Sequence, residues 1–224
     1  MFFLNKLIYH VLFAGLIATI LPTFSYSQTR DVLQDSVYQS YINTLKSGTL
    51  MICLSDRAGI RAKLVKYNDS ERLRKFDIKL KQEFTEIINA FGNYYTFGKV
   101  FFFYRSEINL LKKKKFHEMR WLDKTGIQVV STTIDTGRYL IGEFSQMERS
   151  DSIITRDAKG KIINKEPKLS FSAFVFRNSN FAIIGKWYAM HVRAILRNRT
   201  KIIRIMNARI IRNFSEIENM NKSK

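Results

Sequence analysis

The chain has 224 residues, 46% of them hydrophobic, with 38 Lys+Arg against 19 Asp+Glu, three histidines and one cysteine. A single thiol excludes a disulfide framework within the chain, and a chain of this length buries a sufficient core without one. The net charge of +19 favours anionic surfaces as partners.

The first 27 residues have the parts of a secretory signal peptide. Lys6 is the only Lys or Arg before Arg30, Leu7 to Leu21 is an apolar run broken by His10 and ended by Pro22, and Ser25-Tyr26-Ser27 supplies a small-x-small exit. Cleavage after Ser27 leaves one domain of 197 residues, 28–224, that begins at Gln28 and carries about +18, since Lys6 leaves with the signal. The alternative is an uncleaved membrane anchor, for which the run is short of the roughly 20 residues that span a bilayer. No cysteine follows the run, which argues against a lipoprotein.

Thr29 to Lys46 reads as a helix: Leu33, Val37, Tyr41 and Leu45 recur every four residues, Asp31 is placed to cap it, and Gly48 follows it. Thr49 to Ser55 is a short apolar strand. Arg57 to Asn68 reads as a short basic helix using Ile60, Leu64 and Val65. Asn68-Asp69-Ser70 breaks it and caps the next helix, Glu71 to Phe91, whose apolar stripe is Leu73, Phe76, Leu80, Phe84, Ile87 and Phe91. Gly92 sits at the usual terminating position. Gly98 to Tyr104 (Gly-Lys-Val-Phe-Phe-Phe-Tyr) is the most apolar run after the signal segment and reads as a strand buried on both faces, around which the core is organised. A long helix between two apolar strands suits a strand–helix–strand crossover.

Ser106 is placed to cap a short helix from Glu107 to Lys115. Met119 to Leu122, Ile127 to Ile134 and Arg138 to Met147 then read as successive strands, joined by Asp123-Lys124-Thr125-Gly126 and Asp135-Thr136-Gly137. Connections that short favour antiparallel pairing. The polar stretch 148–168 reads as an exposed loop or hairpin. Leu169 to Arg177 alternates as a strand, Asn178-Ser179-Asn180 turns, and Phe181 to Ile184 and Trp187 to Val192 follow. Thr200 is placed to cap a last helix, Lys201 to Asn219, striped by Ile203, Met206, Ile210, Phe214 and Ile217. The pattern predicts a single α/β (or α+β) domain with a mixed sheet, an N-terminal crossover, antiparallel strands in the second half and a C-terminal helix.

Catalytic signatures are absent. There is no Gly-x-Ser-x-Gly, His-Glu-x-x-His, phosphate-binding Gly-rich loop or dinucleotide fingerprint. His117 and His191 are isolated, so no metal site and no cofactor is expected. Cys53 lies inside a predicted strand, where a free thiol acts as a small hydrophobe. Glu143, on an apolar strand, is the one carboxylate placed for acid or base work, although pairing with an arginine or lysine is the commoner role of such a residue. Basic side chains carry the strongest hint. They crowd Arg57 to Lys81 and the C-terminal region, where Arg197, Lys201, Arg204 and Arg212 fall near one another at 100° per residue and form a candidate anion-binding stripe. Any site within the sheet should lie beyond the end of the Phe-rich strand, near Arg105 and Ser106.

Leu45-x-x-Gly48-x-Leu50, Ile88-Asn89-Ala90-Phe91, Phe97 with Val100 to Tyr104 and Ser106, and Leu140 to Phe144 with its Glu143 together resemble a family of uncharacterised exported proteins from the Bacteroidota. The resemblance implies export and a shared fold and transfers no catalytic residue. The expectation is therefore a periplasmic or secreted, non-catalytic binding or structural protein that engages anionic envelope components, namely lipid head groups, lipopolysaccharide or acidic glycans. Two alternatives stand beside it: a hydrolase using carboxylates or Cys53, and a nucleic-acid-binding protein, for which the aromatics are poorly placed because they fall mostly in core strands.

Overall fold

A computed structural model describes residues 36–148, 154–156, 162–165, 170–184, 192–193 and 198–223. The signal segment, the Asp31 cap, His191 and most of Trp187 to Val192 lie outside the described residues.

The first half forms the expected crossover. Helix α1 (Ser36–Ser47) leads into β1 (Thr49–Leu54), α2 (Ala58–Lys66), α3 (Ser70–Tyr94) and β2 (Lys99–Tyr104). β1 and β2 pair in parallel with Ile52 opposite Phe102. A short helix α4 (Ile108–Lys112) and a hairpin of β3 (Trp121–Leu122) and β4 (Gln128–Val129) follow. Then come β5 (Tyr139–Glu148), a small hairpin of β6 (Ile154–Arg156) and β7 (Ile162–Lys165), β8 (Ser170–Arg177), β9 (Val192–Arg193) and α5 (Arg199–Lys222). The main sheet has seven strands in the order β4-β3-β2-β1-β5-β8-β9. β1 is parallel to both neighbours, and β3, β8 and β9 add antiparallel pairs outside them.

The organising strand is β1 rather than the Phe-rich β2. All six residues of β1 are buried, whereas β2 exposes Lys99 and half-exposes Phe101 and Tyr104. The reason is topological. β1 has full-length partners on both sides, while β2 is flanked on its outer side by β3, which pairs with it at Phe102 and Leu122 alone. Alternation then divides the core in two. On one face Leu50, Ile52, Leu54, Phe102, Leu140 and Phe174 pack against Tyr38 and Leu45 of α1, Ile87 and Phe91 of α3, and Ile203, Met206 and Ile210 of α5. On the other, Met51, Cys53, Phe103 and Ile141 lie beneath Leu111, Met119, Trp121 and Ile134.

Local signals fared unevenly. Asp69 does cap α3, its side chain accepting from the Arg72 amide at 3.1 Å. Gly92 is no terminator: α3 runs through it to Tyr94. A β-carbon there would stand 2.8 Å from the Lys124 carbonyl, so glycine is required by the close approach of the β3–β4 hairpin. In that hairpin Asp123 accepts from the Thr125 and Ile127 amides and Gly126 takes φ 82°. The predicted strand Ile127 to Ile134 shortens to β4 and a 3-10 turn at Ser131–Thr133. The cap of α5 is Asn198, whose side chain accepts from the Lys201 amide at 2.8 Å, rather than Thr200. Ser106 makes no capping bond with its side chain; its backbone amide donates to Asp56 at 3.1 Å.

Candidate functional site

The carboxyl ends of β1, β2 and β5 point the same way, and the chain leaves β1 and β5 in opposite directions. A sheet of this kind opens a crevice at that point. Two hollows lie along this edge, of about 500 Å³ and about 590 Å³, and Ser55 and Arg57 line both.

The first hollow lies between α3 and the start of α5, with Cys53, Ile87 and Phe144 among its lining residues. Its polar groups pair with one another. Arg57 Nη2 donates to both oxygens of Glu83 at 2.9 and 3.1 Å. Arg199 Nη2 lies 2.7 Å from Glu83 Oε1, and its Nη1 donates to Glu86 at 2.9 Å. The same guanidinium sits over the Phe144 ring. Two guanidiniums and two carboxylates thus cancel across the hollow.

In the second hollow the carboxylate partners of two cations, Glu83 for Arg57 and Glu143 for Arg105, lie outside the lining. This hollow is lined by Arg57, Lys63 and Arg105, with Asp56 the one carboxylate and the hydroxyl residues Ser55 and Ser106 between them. Arg105 and Ser106 are the residues that the strand-end rule singled out, and the fold adds Arg57 and Lys63 to them from the neighbouring turn and helix. Lys63 is exposed and makes no ion pair among the described residues. Arg57 separates the two hollows in a left-handed conformation, φ 48° and ψ 38°, which a non-glycine residue rarely adopts. Strain of that kind, about 1–3 kcal/mol, collects where a chain must deliver a side chain to a site.

Beneath Arg105 lies Glu143, 3% exposed and opposite Cys53 in the parallel register. Arg105 Nη1 donates to one carboxylate oxygen at 2.7 Å and Arg177 Nε to the other at 2.6 Å; Arg177 also donates to the Phe181 carbonyl. Both oxygens are engaged and the side chain is enclosed, so solvent does not reach it. Glu107 is held likewise, by Arg120 Nε at 2.7 Å. Burial pushes the Cys53 thiol up to about 12, with the Glu143 charge adding to the rise, so the nucleophilic thiolate does not form near neutrality. No group of three or more His, Cys, Asp or Glu side chains among the described residues is arranged to hold a metal ion.

The predicted C-terminal stripe has a different setting. Arg197 lies outside the described residues. Lys201, Arg204 and Arg212 are exposed on α5, with Arg204 over the Tyr94 ring at 5.3 Å and Arg212 3.9 Å from Glu216. They share a helix but line neither hollow.

Comparison of the chain with protein-family models, with curated proteins and with solved structures finds no match.

Proposed function

We propose that this is an exported, non-catalytic binding protein that holds anionic groups of the cell envelope in the groove at the carboxyl ends of β1 and β2. The observation that carries the reading is the convergence of Arg57 and Lys63, from the cap and body of α2, with Arg105, from the end of β2, on one hollow that has a single carboxylate among its described lining residues. Cations at the rim of a concave site favour phosphate- or carboxylate-bearing ligands such as lipid head groups, lipopolysaccharide or acidic glycans. Half of the Arg105 side chain stays exposed while it neutralises Glu143, so it faces the hollow and the core at once. The hydrolase alternative is weakened by the same geometry, because Glu143 is enclosed between two arginines and Cys53 is buried. Export rests on the signal-like N-terminal segment and the resemblance to exported proteins. No helix among the described residues is long and apolar enough to cross a membrane.

Titration of the full chain with inorganic pyrophosphate, followed by isothermal calorimetry, tests the groove. Saturable binding is expected, weakened at least tenfold when Arg57→Gly and Lys63→Gln are combined. Glycine accepts the left-handed backbone at position 57, so the variant removes charge without adding strain. An affinity unchanged by the pair of substitutions would sink the proposal, as would a wild-type chain that binds nothing.

A further inference from the structure

Helix α2 buries none of its nine residues. It rests on α3 through two ion pairs, Arg57 with Glu83 and Arg61 with Asp77. Its other sides show water both apolar and basic side chains: Ile60 is 51% exposed, Val65 50% and Tyr67 76%, with Lys63 and Lys66 among them. At 100° per residue Ile60, Lys63 and Tyr67 fall within about 60° of one another. From Ser70 to Glu86 α3 buries no residue, and Ile78 is 47% exposed.

Charge identifies what covers this surface. Between Arg57 and Glu83 the sequence holds nine Lys and Arg against four Asp and Glu. All four acids are paired inside the segment: Asp69 with Arg72, Glu71 with Lys75, Asp77 with Arg61 and Glu83 with Arg57. Lys63, Lys66, Arg74, Lys79 and Lys81 are left without an ion pair among the described residues. Five unmatched cations interleaved with exposed aliphatic and aromatic side chains suit a planar anionic surface with an apolar interior. Lysine stems lie along the apolar layer while their ammonium groups reach phosphates, and Tyr67 takes the boundary.

We infer that α2 forms a docking element that lies on an anionic lipid bilayer, with Ile60 and Tyr67 entering the head-group region and Lys63 and Lys66 contacting lipid phosphates. This goes beyond ligand binding in the groove and does not require it.

Co-sedimentation of the full chain with phosphatidylcholine vesicles, with and without 30% phosphatidylglycerol, tests the inference. Leu7 to Leu21 is present on both vesicle types, so the difference between them is the readout. Anionic vesicles are expected to retain at least tenfold more protein at low salt, and the excess is expected to fall steeply by 0.5 M salt. Two variants divide the interaction without touching a residue of the groove: Tyr67→Ser removes apolar contact, and Lys66→Gln removes charge. Each is expected to cut the excess at least fivefold with helix content and pyrophosphate binding unchanged. Equal retention on both vesicle types, or full retention by both variants, overturns the docking surface. Pyrophosphate binding by those variants then tells whether the groove stands alone.

Discussion

Helices α3 and α5 are nearly equal in length, 25 and 24 residues, and both are basic and striped with apolar side chains. They are seated differently. α5 is buried from Ile202 to Ile217, with Asn213 donating to the Tyr38 hydroxyl at 2.6 Å inside the core. α3 is buried only from Ile87 to Phe91; its earlier apolar residues Leu73, Phe76 and Leu80 are half-covered, and α2 beside them has no buried residue. Periodicity alone does not separate a stripe that a sheet covers from one left at the surface. What separates them is where the sheet ends, because α3 begins beyond the carboxyl ends of the strands and only its last turns lie against the sheet face.

The largest effect should come from a charge placed in the fully seated helix. Ile210→Asp is expected to prevent folding, since burying an unpaired carboxylate costs several kcal/mol. The same change on α2, Val65→Asp, should leave stability within about 0.5 kcal/mol, as for an exposed site. Thermal melts of the two check the contrast directly, and a comparable loss in both would break it. Next in size, Glu143→Ala should cost about 3 kcal/mol by stranding Arg177, the low end of the range for a broken buried pair because Arg105 is half exposed. Urea denaturation measures it. Tyr38→Phe should cost about 1–3 kcal/mol, since Asn213 then loses its buried acceptor. Smallest of all, Cys53 should resist alkylation at pH 8 in the native protein and react at once in denaturant.

Much of the fold was legible because it rests on period and punctuation. The strand at 49–54, the long helix begun by Asp69, the Asp123–Gly126 turn and the C-terminal helix all follow from alternation, 3.6-residue recurrence and turn chemistry. The central strand was misjudged because side-chain size is not position. Three phenylalanines in a row in β2 signal burial more strongly than Leu-Met-Ile-Cys-Leu in β1, yet a strand between two full-length partners is buried whatever its composition. Gly92 misled for a related reason, since its neighbour across space, Lys124, is 32 positions away in the sequence and leaves no local signal. Of the groove, Arg105 and Ser106 were reachable through the rule that ligands gather at strand ends. Arg57 and Lys63 were visible only as members of a long basic segment, because the turn that brings them over β2 depends on a left-handed arginine that no pattern announces. The candidate C-terminal stripe rests on helical spacing, which aligns Lys201, Arg204 and Arg212 on α5 without bringing them to either hollow.

The docking surface on α2, beside the unseated turns of α3, comes down to whether Tyr67 meets lipid. A Tyr67→Cys chain carrying an environment-sensitive nitrobenzoxadiazole label, with Cys53 protected by burial, reports on that position alone. On phosphatidylglycerol-containing vesicles its emission should shift to the blue and be quenched by brominated acyl chains, while a label at Val130, exposed on the β3–β4 edge, should do neither. A label at Tyr67 that stays in water on those vesicles would contradict the account.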